Sequence, residues 1–407
     1  MKQKLDISAL YHCASMNKNY INSFRMSIKL KEKIDPTLLQ TVVDDLIIKY
    51  PTICSKITND FFNYYTEKLN HLKIKKSNDL FSTIHLKSIY NQAIEIFYSN
   101  KTISIEVFHG ISDGHGLFTY FHDLITQYIS LKHQLSDSII DAESKEINQV
   151  DSFLTTPTKK FKKSKKDKIF KPFQFEKKIK TIKDQATTFI VDSNEIKEIT
   201  KKYSCTINEF LLSIFYKSIL ENKLGNKNVY LSVPINLRRK FDSSTLKNFT
   251  LIANIGIKNK ENHSIENIIH EIKKQMNRQN SIEYLGHEIS KIKKLNLISK
   301  YVPISIKNYF IRLLSKYVGN KGCMTISNLG LIKFKDKQVH SYIESMDVVL
   351  CSRENTPYNC GVVTVNNKMH INITHNPMNH YLIQKLKEEL SNMNIQFNVQ
   401  DYQESLT

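Results

Sequence analysis

His109-Gly110-Ile111-Ser112-Asp113-Gly114-His115-Gly116 is the stretch from which the rest of the chain can be read. Three of the ten glycines fall inside these few residues. Upstream, Ala93 to Ser99 and Thr102 to Phe108 read as two strands about a Ser-Asn-Lys turn. The second shows it best, because Ile103, Ile105 and Val107 alternate with Thr102, Ser104 and Glu106. Downstream, Leu117, Phe121, Leu124, Ile125, Tyr128 and Ile129 recur at helical spacing. A histidine therefore ends a strand, a glycine-rich turn follows, and an aspartate or serine caps a helix. A loop held between two rigid elements is a common carrier of reacting side chains.

Working outward, the composition fits a globular chain of 407 residues, long enough for two domains and a large core. No run approaches the ~18 apolar residues of a membrane span, and Met1 to Leu10 lacks the apolar segment of a signal peptide. Six cysteines lie far apart without a CxxC pair, so reduced thiols in a cytoplasmic protein are expected, with no zinc site and no disulfide framework. The net charge of +20 invites a nucleic-acid reading. Against it, only six of the 59 basic residues are arginine, and Lys159 to Lys183 holds twelve lysines against two acidic residues. Base-reading surfaces favour arginine and interleaved aromatics. No nucleic-acid partner is expected.

Residues 1–155 read as a first unit. Phe24 to Leu30 alternates as a strand, and Asp35-Pro36 opens a helix striped by Leu38, Leu39, Val42, Val43, Leu46 and Ile47. Ser136 to Lys183 is polar and lysine-rich, and reads as a solvated linker, ordered in part, with its basic core at 156–184. Residues 185–407 form a second unit. It contains helices at Asn194 to Tyr203 and Ile207 to Leu220, and a strand at Val229 to Val233. An amphipathic helix follows at Ile265 to Glu283, with further helix from Leu285 to Val318 and several later strands. This irregular mixture lacks GxGxxG and Walker sequences, which argues for α/β layers other than a nucleotide-binding doubly wound sheet.

His109 and Asp113 stand four residues apart. An imidazole with its ordinary pKa of about 6.5 can take and return a proton near neutrality. His109 is thus a candidate base for attack of an alcohol, amine or thiol on a carbonyl. Asp113 could orient the ring as in a triad, fix the loop by pairing with a cation elsewhere, or cap the helix. Spacing alone leaves these open, and a lone histidine at a strand end is more often structural. No second ligand cluster supports a metal site at His109, Asp113 and His115, so no metal is expected.

His109 to Gly114 matches the HxxxDG signature of the chloramphenicol-acetyltransferase-like superfamily of CoA-dependent acyltransferases. Thr325-Ile-Ser327-Asn328-Leu-Gly330 is similar to the TISNLG stretch of its members. Val233-Pro-Ile-Asn-Leu-Arg238-Arg239, with Thr245-Leu-Lys-Asn248-Phe249, resembles the VPxNLRxxF and TLxNF stretches of the bacterial alcohol acetyltransferase-like group. Phe24-Arg25 and Val42 to Pro51 resemble the first strand and helix of that group. The resemblance implies an α/β fold of two lobes, each a mixed sheet packed with helices, pseudo-dimeric about a tunnel. His109 would be the general base, with Asp113 anchored by an arginine, Arg25 as first choice and Arg238 as second. Ser327 would stabilise the oxyanion, with Asn328 beside it and Gly114 giving a tight turn. It also implies acyl-CoA, most simply acetyl-CoA, as co-substrate and a small alcohol as acceptor, with no permanently bound cofactor and a monomeric enzyme. The alternatives are a carrier-protein thioester as donor, as in condensation domains, or a non-catalytic binding module. Phe108 stands where condensation domains carry an additional histidine, which weighs against the carrier-protein reading.

Overall fold

The computed structural model describes residues 2–16, 21–78, 88–135, 150–158, 161, 171–177, 184–220, 227–258, 264–318, 322–353, 356–375 and 380–402. Most of the lysine-rich 159–183 stretch lies outside them. Of the expected solvated linker, the described parts are anchored: Phe153, Phe173 and Phe175 are buried in the second core.

The chain opens with β1 (Lys2–Lys4), α1 (Ile7–Ser15), β2 (Ser23–Leu30) and α2 (Pro36–Lys49). Helix α2 starts where its sequence dictates. Asp35 accepts from the Thr37 and Leu38 amides, Pro36 occupies the first turn, and Leu39, Val42, Val43, Leu46 and Ile47 are buried. A hairpin of β3 (Ser55–Asn59) and β4 (Tyr64–Lys68) takes β1 on its other side. Then β5 (Lys75–Lys76), β6 (Ile94–Tyr98) and β7 (Thr102–Phe108) lead through the glycine-rich loop into α3 (Gly114–His133).

After α4 (Ser152–Thr155) come β8 (Gln185–Asp192), α5 (Ser193–Lys202), α6 (Ile207–Leu220), β9 (Val229–Asn236) and β10 (Thr250–Ile257). Helix α6 begins with a reciprocal cap: Thr206 Oγ1 accepts from the Glu209 amide and Glu209 from the Thr206 amide. The expected helical stretch beyond 265 is three helices, α7 (Ile265–Gln279), α8 (Ile282–Ser299) and α9 (Ile304–Val318). Ser281 stops continuity by capping α8 through the Tyr284 amide, and Pro303 precedes α9. The chain ends with β11 (Met324–Leu331), α10 (Lys337–Ser341), β12 (Ile343–Leu350), β13 (Tyr358–Val365), β14 (Lys368–His375), α11 (Tyr381–Asn392) and β15 (Phe397–Tyr402).

Two larger sheets result, ordered β12-β2-β7-β6-β5 and β10-β9-β11-β13-β14-β8-β15, each with its own core. This is the two-lobed mixed α/β architecture that the resemblance implies. Strand β12 comes late in the sequence yet completes the first sheet, pairing antiparallel with β2 so that Val349 faces Arg25. Strand β9 runs three residues further than its sequence reading, through Pro234. Its parallel pairing with β11 covers only Leu231 and Ser232, so Pro234 has β10 as its neighbour.

The lobes interlock at the start of α3. Ser112 Oγ donates to Leu246 O at 2.6 Å. A Cβ at Gly116 would lie 2.2 Å from that carbonyl oxygen, and backbone cannot yield as a side chain would. Gly116→Ala is therefore expected to destabilise the protein by about 1–3 kcal/mol, read as a lowered Tm in thermal melts.

Candidate active site

His109 leaves the end of β7, and its amide donates to Asn22 O at 2.7 Å. Its ring lies beside the second lobe, with Nδ1 3.1 Å from Asn248 Oδ1. The Asn248 amide is oriented by Asp6, whose Oδ2 accepts from Asn248 N at 3.2 Å and Nδ2 at 3.3 Å. Because that carboxylate takes the NH₂ side, Oδ1 faces the histidine and Nδ1 carries the proton. Nε2 is left with its lone pair. Burial holds the His109 pKa below its ordinary value, opposed by its own backbone carbonyl, Asp113 and Asn248, and reinforced by Arg353. The ring is uncharged at neutral pH.

Asp113 does not face the ring. Its Oδ1 caps α3 by accepting from the Gly116 amide at 3.0 Å. Its Oδ2 accepts from Arg238 Nη1 at 2.9 Å, Phe249 N at 2.8 Å and Thr250 Oγ1 at 2.9 Å, all from the second lobe. Arg238 is engaged further: Nε donates to Thr245 O at 2.8 Å and Nη2 to Lys247 O at 2.7 Å. Burial alone would raise the Asp113 pKa. The Arg238 guanidinium and the Phe249 and Gly116 amides outweigh it, and the pKa lies below its ordinary value.

The first-choice partner, Arg25, is corrected. It stands directly opposite Glu106 in the β2–β7 register. Its guanidinium engages Glu106 Oε2 through Nη2 at 3.0 Å and Nε at 3.1 Å, and lies over the Phe97 ring. A cross-strand neighbour of opposite charge takes the arginine before a residue on the loop can. Gly114 follows the loop's turn. It begins α3 and does not take the left-handed region, which Gly330 alone occupies among the described glycines. The demand at Gly114 is space, since a Cβ there would lie 3.2 Å from Leu329 Cδ2.

That contact brings the end of β11 to the loop. Ser327 lies on β11 opposite Gly361, half-buried, and its hydroxyl takes no protein partner among the described residues. Asn328 Oδ1 accepts from Gly330 N at 2.8 Å and shapes the turn that follows.

Two groups escaped the sequence reading. Asn248 lies in the quoted TLKNF stretch, but nothing local says that its amide grips His109. His12 carries no motif. It sits on α1, whose ring stacks on His109 with centroids 4.4 Å apart and planes inclined by 14°. His12 Nδ1 is hydrogen-bonded to Asn22 Nδ2. Burial, His109 and Arg353 all lower its pKa, so two neutral imidazoles face each other. Asp6 behaves oppositely to Asp113: burial, then Asp151, push its pKa up to about 7.

No protein-family model and no curated protein matches the chain. Solved structures do. The TRI3 trichothecene 15-O-acetyltransferase from Fusarium sporotrichioides superposes with a TM-score of 0.63 at 12% identity, over 96% of this chain and 94% of that one. Polyketide synthase associated protein 5 from Mycobacterium tuberculosis gives 0.63 at 10% identity, over 96% of each chain. F. graminearum TRI101, complexed with coenzyme A and deoxynivalenol, gives 0.65 at 8% identity over 98% of this chain and 99% of that one. The chain thus has the fold that acyltransferases of this kind share with condensation domains, such as that of the Monacolin K polyketide synthase MokA (TM-score 0.60, 9% identity, 96% of each chain).

Removing one member of a buried ion pair typically costs about 3–5 kcal/mol. Arg238→Ala should therefore lower Tm sharply. The depressed Asp113 pKa stabilises the fold above its unfolded value near 3.8, and that contribution is lost as pH falls through the folded value. The Tm gap between wild type and Asp113→Asn should accordingly shrink in melts below about pH 4.

Proposed function

We propose that the protein is an O-acyltransferase of the cytoplasm that moves an acyl group, most simply acetyl, from acyl-CoA to a small alcohol. The observation that carries the reading is the His109 ring, held at Nδ1 by Asn248 with Nε2 left as the base, on a loop whose aspartate is turned into Arg238. The fold shared with TRI101 and TRI3 supports the same class of chemistry.

In the proposed reaction, Nε2 of His109 accepts the acceptor's hydroxyl proton as that oxygen attacks the thioester carbonyl carbon. The tetrahedral oxyanion takes a hydrogen bond from the Ser327 hydroxyl. Collapse breaks the C–S bond, and the proton on Nε2 passes to the departing thiolate, giving ester and free CoA. No covalent enzyme intermediate is required, because donor and acceptor meet at one base. The imidazolium formed in passing is stabilised through Nδ1 by Asn248, whose amide is polarised by Asp6. Asp113 supports the reaction by fixing the loop.

Free-thiol release from acetyl-CoA with a panel of alcohols tests the reading. His109→Ala should abolish turnover with the far-ultraviolet spectrum retained and Tm lowered by the lost contacts of the ring, and Ser327→Ala should lower kcat by about 10²–10³. Retained turnover in the first variant would overturn the assignment of the base. Activity with a phosphopantetheine-loaded carrier protein and none with acyl-CoA would favour the condensation-type reading, which the likeness to condensation domains keeps in view.

The pH profile supplies a second test. A depressed His109 pKa means that kcat/KM is flat near neutrality and falls on the acid side with a midpoint below 6.5. Asp6→Asn keeps one acceptor oxygen, for the α1 cap or for Asn248, and sets an NH₂ against the other donors. The acid limb should keep its midpoint, because Asp6 is mostly protonated across it, while the melting temperature should fall. The fall should be larger at pH 5 than at pH 8, because the raised Asp6 pKa makes its stabilisation full below the unfolded value of 3.8 and lost as pH rises through about 7.

A further inference from the structure

Helix α9 is amphipathic, but it is turned outward. Ile306, Tyr309, Phe310 and Leu313 recur at i, i+3, i+4 and i+7, and all four are exposed. Between them Lys307 points the other way, 7% exposed, and donates through Nζ to Phe62 O at 2.9 Å. A surface helix of a globular protein ordinarily turns its apolar stripe to the core.

The neighbouring elements extend the same surface. The last turns of α8 and the link to α9 expose Leu297 at 70%, Ile298 at 77% and Tyr301 at 77%. The tip of the β3–β4 hairpin exposes Phe61 and Phe62 and is tied to α9 by Ile304 N to Phe61 O at 2.9 Å and Asn308 Nδ2 to Tyr64 Oη at 2.8 Å. The tip's one carboxylate, Asp60, is engaged within its own turn by the Phe62 and Asn63 amides and the Tyr65 hydroxyl. Residues 291–318 contain seven lysines and arginines and no aspartate or glutamate. Lys294 and Lys300 among them are exposed. No helix among the described residues is long and apolar enough to cross a membrane.

We propose that this face seats the protein on an anionic lipid surface, with the α9 stripe and the hairpin phenylalanines entering the interface and the flanking lysines meeting lipid phosphates. Basic charge from α8 beside the apolar stripe of α9 is what such a surface recognises. The most exposed side chains stand out from three separate elements. A bilayer interface accepts protruding side chains without requiring a matching shape, whereas a protein partner needs a complementary hollow for each. The face lies one helix away from the candidate site: Arg312 of α9 donates through Nε to Ala14 O of α1 at 2.7 Å, and α1 carries His12. A lipid seat there would place the site beside apolar molecules dissolved in the bilayer. The inference stands independently of the acyl-transfer reading.

Co-sedimentation of the full chain with vesicles tests it. Vesicles of equal parts phosphatidylcholine and phosphatidylglycerol should bind the protein, vesicles of phosphatidylcholine alone much less, and binding should fall as salt is raised. Ile306→Gln with Phe310→Gln should cut binding about tenfold or more with the far-ultraviolet spectrum and Tm retained. Lys294→Glu with Lys300→Glu should weaken binding to the anionic vesicles selectively. Absence of vesicle binding by the wild-type chain would overturn the proposal, as would binding insensitive to the stripe substitutions. So would a stable dimer, or a complex with an acidic carrier protein, that the stripe substitutions abolish while vesicles bind nothing.

Discussion

The buried ion pair between Asp113 and Arg238 is the constraint on which the rest of the structure depends. Each partner sits almost out of solvent, and such burial of two charges is unfavourable unless their remaining hydrogen-bonding capacity is filled. Here most of it is filled. The aspartate collects four donors, and the arginine donates to two backbone carbonyls and to Asn236 besides. Every partner of Oδ2 comes from the second lobe, while Oδ1 holds the first turn of α3. One carboxylate therefore caps the helix behind the loop and fastens that loop to the other half of the molecule. Loop geometry and lobe packing cannot change independently.

Three ionisable groups around this loop are tuned by their neighbours rather than by their type. Asp113 and Asp6 are both buried carboxyls, yet one is pulled down by a guanidinium and the other pushed up by desolvation and a second carboxylate. His109 sits between the lobes with its Nδ1 side fixed through Asn248 and one face covered by His12. Burial keeps it uncharged. A buried ring, held in one tautomer and stacked on another neutral ring, has little reason to hold a second proton at rest.

Much of the local structure was legible in the sequence because its causes are local. Asp35-Pro36 caps α2 through amides two and three residues away, and alternation in Thr102 to Phe108 marks a strand whose partners pair as a hairpin would. The helix expected over Ile265 to Glu283 ends at Gln279, and the further helix divides in two, for equally local reasons. Ser281 and Pro303 outweigh an apolar spacing that runs on past them. Strand β12 was legible as a strand but not as a member of the first sheet, since alternation specifies a face and says nothing of the partner.

By itself the sequence determined the elements flanking His109, the strand–loop–helix that presents it, and, through the HxxxDG, VPINLRR, TLKNF and TISNLG stretches, the stretches that would meet. Tertiary structure alone decided how they meet. It gave Asp113 to Arg238, 125 residues away, and Arg25 to Glu106, 81 away. It set Asn248 against the His109 ring across 139 residues, and brought in His12 from a helix without any motif. The physical reason is that capping and periodicity act within a turn or two of chain. The choice between two arginines for one buried carboxylate depends on which strands lie side by side and which lobe closes over the loop.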